Sequence, residues 1–290
     1  MTSAQPLRFG LIGVDSSHAL QFTRLFRDGL VADGVVTTAW RGPEAEDFPP
    51  GRRAEAHATE LPGLGVQLLD SPEAVAEASD ALLVVSADAR TRLAQFARVA
   101  PFGLPVYPDT RFSAGVEETE RMLRIADETG TLVLSGSPKR FTPGFRPVRE
   151  TAGIERLDLT GALVEQPGHE GLAWYGVHLV DLAVAAFGPG CRLVEPDERG
   201  LRLIWDDGRI ATIAGPAEWV SWTSGTARRG DARIEFAIEA NANMLTGLLD
   251  SIVAACRTGL PNITPAEIRE ISAIVAAGSA ALRSGAPVSL

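Results

Sequence analysis

A chain of 290 residues with 45% hydrophobic and 22% charged residues can build one large globular domain or two ordinary ones. Its formal net charge of −10 argues against a nucleic-acid partner, which needs a basic protein face, and against binding to an anionic membrane surface. The start, Met1–Pro6, lacks a basic region followed by an apolar stretch, and no apolar run approaches the roughly 18 residues of a membrane helix. We therefore expect a cytoplasmic protein.

The first half of the chain alternates predicted strands with predicted helices. The apolar run Leu7–Ile12 predicts a buried strand that ends at Gly13, and apolar residues at helical spacing then predict a helix that ends near Gly29. The same patterns predict strands at Val35–Trp40, Ala81–Val85, Pro105–Tyr107 and Thr131–Ser135, and helices from Ser71 and over Thr91–Ala100 and Val116–Thr129. This alternation indicates βαβ units, so we expect an α/β fold with a Rossmann-type doubly wound parallel sheet over residues 1–137.

Residues 138–290 show a different pattern. Strand-like runs without intervening helices lie at Ile154–Val164, Leu201–Ala214 and Ile234–Glu239, with a predicted hairpin turn at Asp206–Arg209. Two helices follow, around Ala242–Arg257 and Pro265–Arg283, and the second begins with a capping box at Thr264–Glu267. We therefore expect an α+β domain with a mostly antiparallel, open-faced sheet.

The turn after the first strand is the phosphate site of a Rossmann domain, where glycines let the backbone approach a pyrophosphate at a helix N-terminus. The expected pattern is G-x-G-x-x-G, and this chain has Gly13-Val14-Asp15-Ser16-Ser17-His18. Only the first glycine is present, and Asp15 brings a negative charge toward a negative ligand. Three interpretations stay open: the acid and the serines cap the helix, the serine hydroxyls hold a nucleotide, or His18 belongs to a reaction site.

The second predicted strand ends at Ala39-Trp40-Arg41, where an acid that binds the ribose 2′-OH of NAD is usual. Arg41 would suit the 2′-phosphate of NADP, although a solvated surface arginine is the simpler explanation. The segment Arg41–Gly51 is rich in glycine, proline and acid, which predicts a surface loop.

Motifs along the chain resemble the Gfo/Idh/MocA oxidoreductases, a family named for glucose-fructose oxidoreductase and inositol dehydrogenase. The first turn is similar to that of a branch with Gly-hydrophobic-Asp-x-Ser-His. Trp174-Tyr175-Gly176-Val177-His178 matches the branch's Trp/Phe-Tyr-Gly-x-His segment. Gly188–Cys191 and Trp205–Arg209 match its Gly-Pro-Gly-Cys and Trp-x-Asp-Gly-Arg segments. The likeness covers nearly the whole chain, and the order and spacing of the motifs make it fairly specific.

The resemblance implies a Rossmann domain, an open-faced sheet used in oligomer contacts, and NAD(P)-dependent redox chemistry on sugar-like alcohols. It implies that NAD or NADP binds at the first turn and at the ends of neighbouring strands. The residues concerned are Gly13, Val14, Asp15, Ser16, Ser17, His18, Arg41, Ser86, Ala87 and Asp109.

The chain departs from the family in its catalytic segments. The family's Glu-Lys-Pro, whose lysine helps to move the substrate proton, corresponds to Asp109-Thr110-Arg111, so Thr110 replaces the lysine. A threonine hydroxyl is a poor base, whereas an imidazole titrates near neutral pH, so His178 is the candidate proton acceptor, with Tyr175 in the same motif. Trp174 replaces the family's Asp four residues before this histidine, and Arg92 replaces a histidine of the branch.

The chain has four histidines. His178 and Asp181 lie three residues apart on a predicted helix, so Asp181 either orients His178 for catalysis or forms with it a buried structural pair. His57 lies in a polar helix and is given no role. His169 lies in a loop, where exposure to solvent is favoured over contact with a substrate.

Two further groups of residues carry weaker predictions. Lys139-Arg140 follow the last strand of the first half, where they receive a substrate carboxylate or phosphate or belong to a solvated linker. His18, His178 and Asp109 have suitable chemistry for a metal but no metal-site spacing, so no metal site is predicted. Cys191 and Cys256 are interpreted as buried or half-buried thiols.

Three functions stay open, in this order. The first is an NAD(P)-dependent oxidoreductase on a sugar, cyclitol or related polyol. The second is a non-redox lyase, hydratase or epimerase on the same scaffold with His178 as acid and base, and the third is a ligand-binding protein without catalysis. The expected partners are a small-molecule substrate and further copies of the chain, bound through the C-terminal sheet, with no nucleic acid and no membrane.

Overall fold

The computed structural model describes residues 5–43 and 47–290. The chain forms two compact units, Met1–Ser135 with Leu249–Ile263, and Gly136–Leu248 with Thr264–Leu290. The first unit therefore includes a late segment that the sequence-based division at residues 137 and 138 assigns to the second domain. The division into a nucleotide-binding and a substrate domain stays a prediction.

The first unit is built on a five-stranded parallel sheet with the strand order β3-β2-β1-β4-β5. The strands are β1 Leu7–Ile12, β2 Gly34–Trp40, β3 Gln67–Leu68, β4 Ala81–Val84 and β5 Val106–Pro108. The helices are α1 His18–Arg27, α2 Ala54–Glu60, α3 Pro72–Glu77, α4 Arg92–Val99 and α5 Val116–Thr129. The strand order confirms the predicted doubly wound sheet, because the chain adds β2 and β3 on one side of β1 and then β4 and β5 on the other side.

One predicted strand is wrong. Thr131–Ser135 does not form a strand, and only Val133 makes an isolated parallel bridge, to Val106. The reason lies in β5, because its third residue, Pro108, has no N–H with which to continue the ladder.

The predicted loop over 41–51 is described only in part, since residues 44–46 lie outside the described residues. Within the described part Phe48 is buried and Pro49–Arg53 form a 3-10 turn.

The second unit contains a seven-stranded sheet with the strand order β11-β10-β6-β9-β8-β7-β12. The strands are β6 Arg156–Thr160, β7 Cys191–Asp197, β8 Gly200–Trp205, β9 Ile210–Ala214, β10 Trp222–Arg229, β11 Ala232–Glu239 and β12 Val288–Ser289. The helices are α6 Arg146–Glu150, α7 Val177–Phe187 and α9 Pro265–Ser284, while most of α8, Thr246–Thr258, belongs to the first unit. The pairs are antiparallel except β6 with β9, so the expected α+β fold with a mostly antiparallel sheet is confirmed.

One face of this sheet carries the core of the second unit. Alternate residues such as Leu157, Leu159, Ala211 and Ile213 are buried on it, together with the apolar side of α7. The predicted capping box of α9 is present, since Thr264 and Glu267 exchange side-chain and backbone hydrogen bonds. None of the helices in the described part of the chain is long and apolar enough to cross a membrane. The cytoplasmic location stays a prediction.

Candidate functional site

The carboxyl ends of β1, β4 and β5 lie at one edge of the first sheet, because these neighbouring strands are parallel. The turn after β1 contacts the turn after β4 at this edge. Gly13 has a φ of +77°, and a Cβ at this position would lie 1.9 Å from the Ser86 Oγ. Only glycine therefore fits at position 13, both for its backbone conformation and for the close approach of Ser86.

Asp15 does not cap α1, so that interpretation is wrong for this residue. Its Oδ1 accepts a hydrogen bond of 2.9 Å from the Ala87 N–H, and its side chain is buried between the two turns. Burial raises the pKa of Asp15, and the hydrogen bond from the Ala87 N–H opposes this shift. Ser16 does have a capping role, since its Oγ accepts a 3.2 Å hydrogen bond from the His18 N–H, whereas Ser17 at the N-cap position makes no side-chain capping bond.

Helix α2 supports the first turn from the other side. The His57 Nδ1 lies 2.6 Å from the Val14 carbonyl oxygen and donates to it, so the histidine that was given no role holds this turn. On the same helix, Glu55 forms an ion pair with the exposed Arg41. Neither contact is marked by a sequence motif, because they join residues 43 and 14 positions apart.

His18 and Asp109 form a pair at the strand edge. The His18 Nδ1 lies 2.7 Å from the Asp109 Oδ2, and the imidazole stacks on Phe22 with 4.9 Å between ring centroids. A carboxylate accepts hydrogen bonds only, so Nδ1 carries a proton, and in the neutral imidazole the lone pair is on Nε2. In the described part of the chain Nε2 has no hydrogen-bond partner, and 19% of the side chain is exposed. Nε2 is therefore the ring nitrogen of His18 that is left for a further hydrogen bond.

Asp109 is fully buried and fully hydrogen-bonded. Its Oδ1 accepts from the Tyr107 hydroxyl at 3.1 Å and from the Thr110 N–H at 2.8 Å. Burial by itself would raise the pKa of Asp109, but His18 and the nearby Arg92 guanidinium hold that pKa well below its usual value. The aspartate is therefore an anion in the folded protein.

Arg92 stabilises the segment that contains Asp109 and Thr110 through hydrogen bonds to its backbone. Its guanidinium is fully buried and donates to the Thr110 carbonyl at 2.9 Å and to the Ser86 carbonyl at 2.7 Å. It also donates to the carbonyls of Asp109 and Arg111. Thr110 is thus buried in a loop whose carbonyl groups are held by one cation.

The residues at this edge fit the pyrophosphate end of a dinucleotide. Gly13 keeps the sharp turn, α1 begins directly after Ser16 and Ser17, and the Asp15 carboxyl is turned away to Ala87. The second and third glycines of the usual pattern are missing, so a pyrophosphate would contact serine hydroxyls and the N-terminus of α1 rather than bare backbone.

His178 belongs to a polar cluster of the second unit. Its Nδ1 lies 2.8 Å from the Ser137 Oγ, and its ring contacts the Tyr175 ring with 5.6 Å between centroids. The Tyr175 hydroxyl in turn accepts a 3.1 Å hydrogen bond from the Trp219 Nε1. Trp219 is 56% exposed, and no sequence motif indicated that it belongs to this cluster.

The predicted direct pairing of Asp181 with His178 is wrong. Asp181 accepts from the Arg140 Nε at 2.8 Å and from the Ser137 N–H at 3.1 Å. His178 and Asp181 therefore both contact Ser137, His178 at the side-chain Oγ and Asp181 at the backbone N–H. Burial raises the pKa of Asp181 although Arg140 opposes this shift.

Two expectations of exposure are also wrong. Lys139 and Arg140 are buried, at 7% and 4% exposure, so they do not form a solvated linker. His169 is 2% exposed and packs edge-on against Trp174, with 5.4 Å between ring centroids.

Among residues 5–43 and 47–290, no group of three or more His, Cys, Asp or Glu side chains could hold a metal ion.

No protein-family model matches the chain, and no curated protein matches its sequence. Solved structures match its fold over nearly its full length. A probable dehydrogenase from Thermotoga maritima has a TM-score of 0.80 at 14% identity, covering 98% of this chain and 99% of that one. An oxidoreductase from Agrobacterium radiobacter, in complex with NAD+, L-tartaric acid and magnesium, has a TM-score of 0.78 at 13% identity, covering 98% of both chains.

A scyllo-inositol dehydrogenase from Lactobacillus casei, with bound NAD(H) and scyllo-inositol, has a TM-score of 0.75 at 12% identity, covering 98% of this chain and 99% of that one. The fold implied by the resemblance to Gfo/Idh/MocA oxidoreductases is therefore confirmed.

Proposed function

We propose that this protein is an NAD(P)-dependent oxidoreductase that acts on a hydroxyl group of a sugar, cyclitol or related polyol. The observation that carries the proposal is the fold, which the chain shares along 98% of its length with a dehydrogenase that holds NAD(H) and scyllo-inositol. Fold likeness is an analogy, so the proposal also depends on the groups that this chain presents at its two polar clusters.

The turn from Gly13 to His18 would hold the pyrophosphate, chiefly through Ser16, Ser17 and the N-terminus of α1. When bound, the nicotinamide supplies a hydride acceptor for the alcohol carbon. Arg41 is already paired with Glu55, so the 2′-phosphate of NADP would have to compete with that carboxylate. Ser86 and Ala87 shape the neighbouring turn, where Ala87 fixes Asp15.

His178 is the proposed acceptor of the hydroxyl proton. When its Nδ1–H donates to the Ser137 Oγ, Nε2 carries the lone pair that takes the proton as the alcohol becomes a ketone. Asp181 and Arg140 act as positioning residues, because Asp181 fixes the Ser137 backbone. Tyr175 orients the imidazole ring by edge contact.

Titration of the cofactor-stripped protein with NADH and NADPH, followed by nicotinamide fluorescence, tests the cofactor. We expect saturable binding in the micromolar range that Gly13→Ala weakens, because a Cβ there would displace Ser86. Gly63→Ala is the matched control, since no atom lies within 4 Å of its added Cβ. No binding of either nucleotide at millimolar concentration would overturn the oxidoreductase assignment.

The His18–Asp109 pair favours a second candidate, a non-redox lyase, hydratase or epimerase on the same scaffold. An imidazole with a fixed Nδ1–H and an open Nε2 can remove and return a proton without a nicotinamide. Such an enzyme would exchange a substrate C–H for deuterium in D2O without added nucleotide. His18→Gln would abolish that exchange, whereas an oxidoreductase would show none in the stripped state.

The outer face of the second sheet supports a proposed homo-oligomer. Register places Thr160 beside Ser224, and Asp158 beside Thr226, on the face opposite the apolar core. These small polar residues are half-buried, so a second copy could approach the sheet closely. Sedimentation equilibrium of the wild type and of Thr226→Arg tests this, since a larger charged side chain on the face should dissociate the assembly.

A further inference from the structure

Lys139 is a buried cation without a counter-ion in the part of the chain that the structure describes. Its side chain is 7% exposed, and its Nζ donates a single hydrogen bond, of 2.6 Å, to the Thr223 Oγ1. Within residues 5–43 and 47–290, no carboxylate pairs with it. An ammonium group has three N–H donors, so two of them lack an acceptor from the described chain.

Arg140, the next residue, is a buried cation of the same unit that has oppositely charged partners. Arg140 is equally buried, and it donates to Asp181 at 2.8 Å and to Glu267 at 2.8 Å. Two carboxylates thus compensate Arg140, while none compensates Lys139. Because a buried charge is costly unless it is paired, this difference indicates that an acceptor for Lys139 comes from outside the chain.

Lys139 also lies in the cluster that contains the proposed proton acceptor. The Ser137 Oγ accepts from the Lys139 N–H at 3.3 Å and lies 2.8 Å from the His178 Nδ1. Thr223, the partner of the ammonium, is fully buried on the core side of β10. A Cβ at Gly161 would lie 2.9 Å from the Thr223 Oγ1, so the glycine leaves space beside this hydroxyl that any other residue would occupy.

We propose that Lys139 and Thr223 bind the carboxylate of an acidic sugar, an aldonate or a uronate, and that the site selects such substrates over neutral polyols. The inference rests on the proposed function for the hydroxyl chemistry and adds the substrate class. A carboxylate fits better than a phosphate monoester, because one cation balances one negative charge whereas a phosphate carries nearly two. The Lys139 pKa, which burial lowers to about 8, leaves the ammonium mostly protonated at neutral pH.

Calorimetric titration of the full chain at pH 7 without nicotinamide tests the proposal with two matched probe pairs. D-Gluconate is compared with sorbitol, and D-glucuronate with D-glucose, because each pair differs in a carboxylate. At least one acid should bind saturably and about ten-fold or more tighter than its neutral partner, as a charged hydrogen bond predicts. Lys139→Met should remove this preference, and Arg228→Met, which changes an exposed arginine on the outer sheet face, should keep it.

A measurement on the wild type alone tests the proposal if Lys139→Met does not fold. The wild-type affinity for the preferred acid should fall by about ten-fold per pH unit above about pH 8, where Lys139 loses its proton. Equal binding of acid and neutral probes by the wild type, or an unchanged preference in Lys139→Met, would overturn the inference. The NADH titration on the same preparation reports on the oxidoreductase proposal separately, because neither probe pair requires nicotinamide.

Discussion

The first and second units each bury a cluster of charged side chains, and they compensate those charges differently. In the first unit Asp109 is ionised and surrounded by His18, the Tyr107 hydroxyl and the Thr110 N–H, with Arg92 close by. In the second unit Arg140 is paired twice, whereas Lys139 keeps one neutral partner. A buried charge that has an oppositely charged partner belongs to the structure of the chain, whereas a buried charge that lacks one is available to a ligand.

The largest expected loss of stability follows from removing Asp109, the buried anion of the first unit. Asp109→Ala should destabilise the protein by roughly 3–5 kcal/mol, because Arg92 loses its nearby negative charge and Tyr107 loses its acceptor. Urea unfolding measures the change. Glu60→Gln is the matched control, since Glu60 pairs with Arg24 at 45% exposure and should cost at most about 1 kcal/mol. Equal costs would contradict the view that the Asp109 cluster is a compensated network.

A smaller effect should follow from the uncompensated cation of the second unit. The Lys139 pKa is about 8 in the folded protein against 10.5 for a free lysine, so between these pH values the unfolded chain binds the extra proton. The free energy of unfolding should therefore rise from pH 8 to pH 10.5, by up to roughly 3 kcal/mol.

The measurement compares urea unfolding of the wild type and Lys139→Met across this range, and only the wild type should show the rise from Lys139. The comparison matters because burial raises the pKa of Cys191 and Cys256 to about 11, which lowers stability as the pH rises. Those thiols are present in both proteins and cancel in the difference. Parallel curves would mean that Lys139 is not held as a costly buried cation.

The smallest effect concerns helix starts in the two units. Thr264→Ala should cost about 1 kcal/mol, because it removes the side-chain acceptor for the Glu267 N–H at the start of α9. Ser17→Ala in the first unit should change the unfolding free energy by only a few tenths of this, since Ser17 makes no side-chain capping bond to α1. Thermal unfolding of the two variants checks the contrast, and equal losses would contradict it.

Local patterns predicted most of the fold because the groups that decide it are neighbours in the chain. Val116–Thr129 is a helix with those bounds, ended by Gly130 in a left-handed conformation. The hairpin at Asp206–Arg209 and the capping box at Thr264 are present for the same reason. Strands β3, β7, β10 and β12 were not predicted, and the predicted strand Thr131–Ser135 is absent because it depends on pairing with β5, where Pro108 ends the ladder.

The candidate site was predicted less well, since its contacts join distant residues. The sequence pointed to His18, Asp109, His178 and Asp181, but it did not predict that His18 binds Asp109 across 91 positions or that His178 and Asp181 each contact Ser137. It gave no role to His57, which fixes the first turn from α2.

The sequence by itself determined the fold class of both halves and most of their elements, because hydrophobic periodicity, caps and turn residues act over a few positions. Only the tertiary structure decided which charges are compensated. Lys139 and Arg140 are adjacent and alike in sequence, yet two carboxylates reach Arg140 and a single hydroxyl reaches Lys139. Burial and pairing depend on where distant segments pack, and that packing separates a structural ion pair from a candidate ligand site.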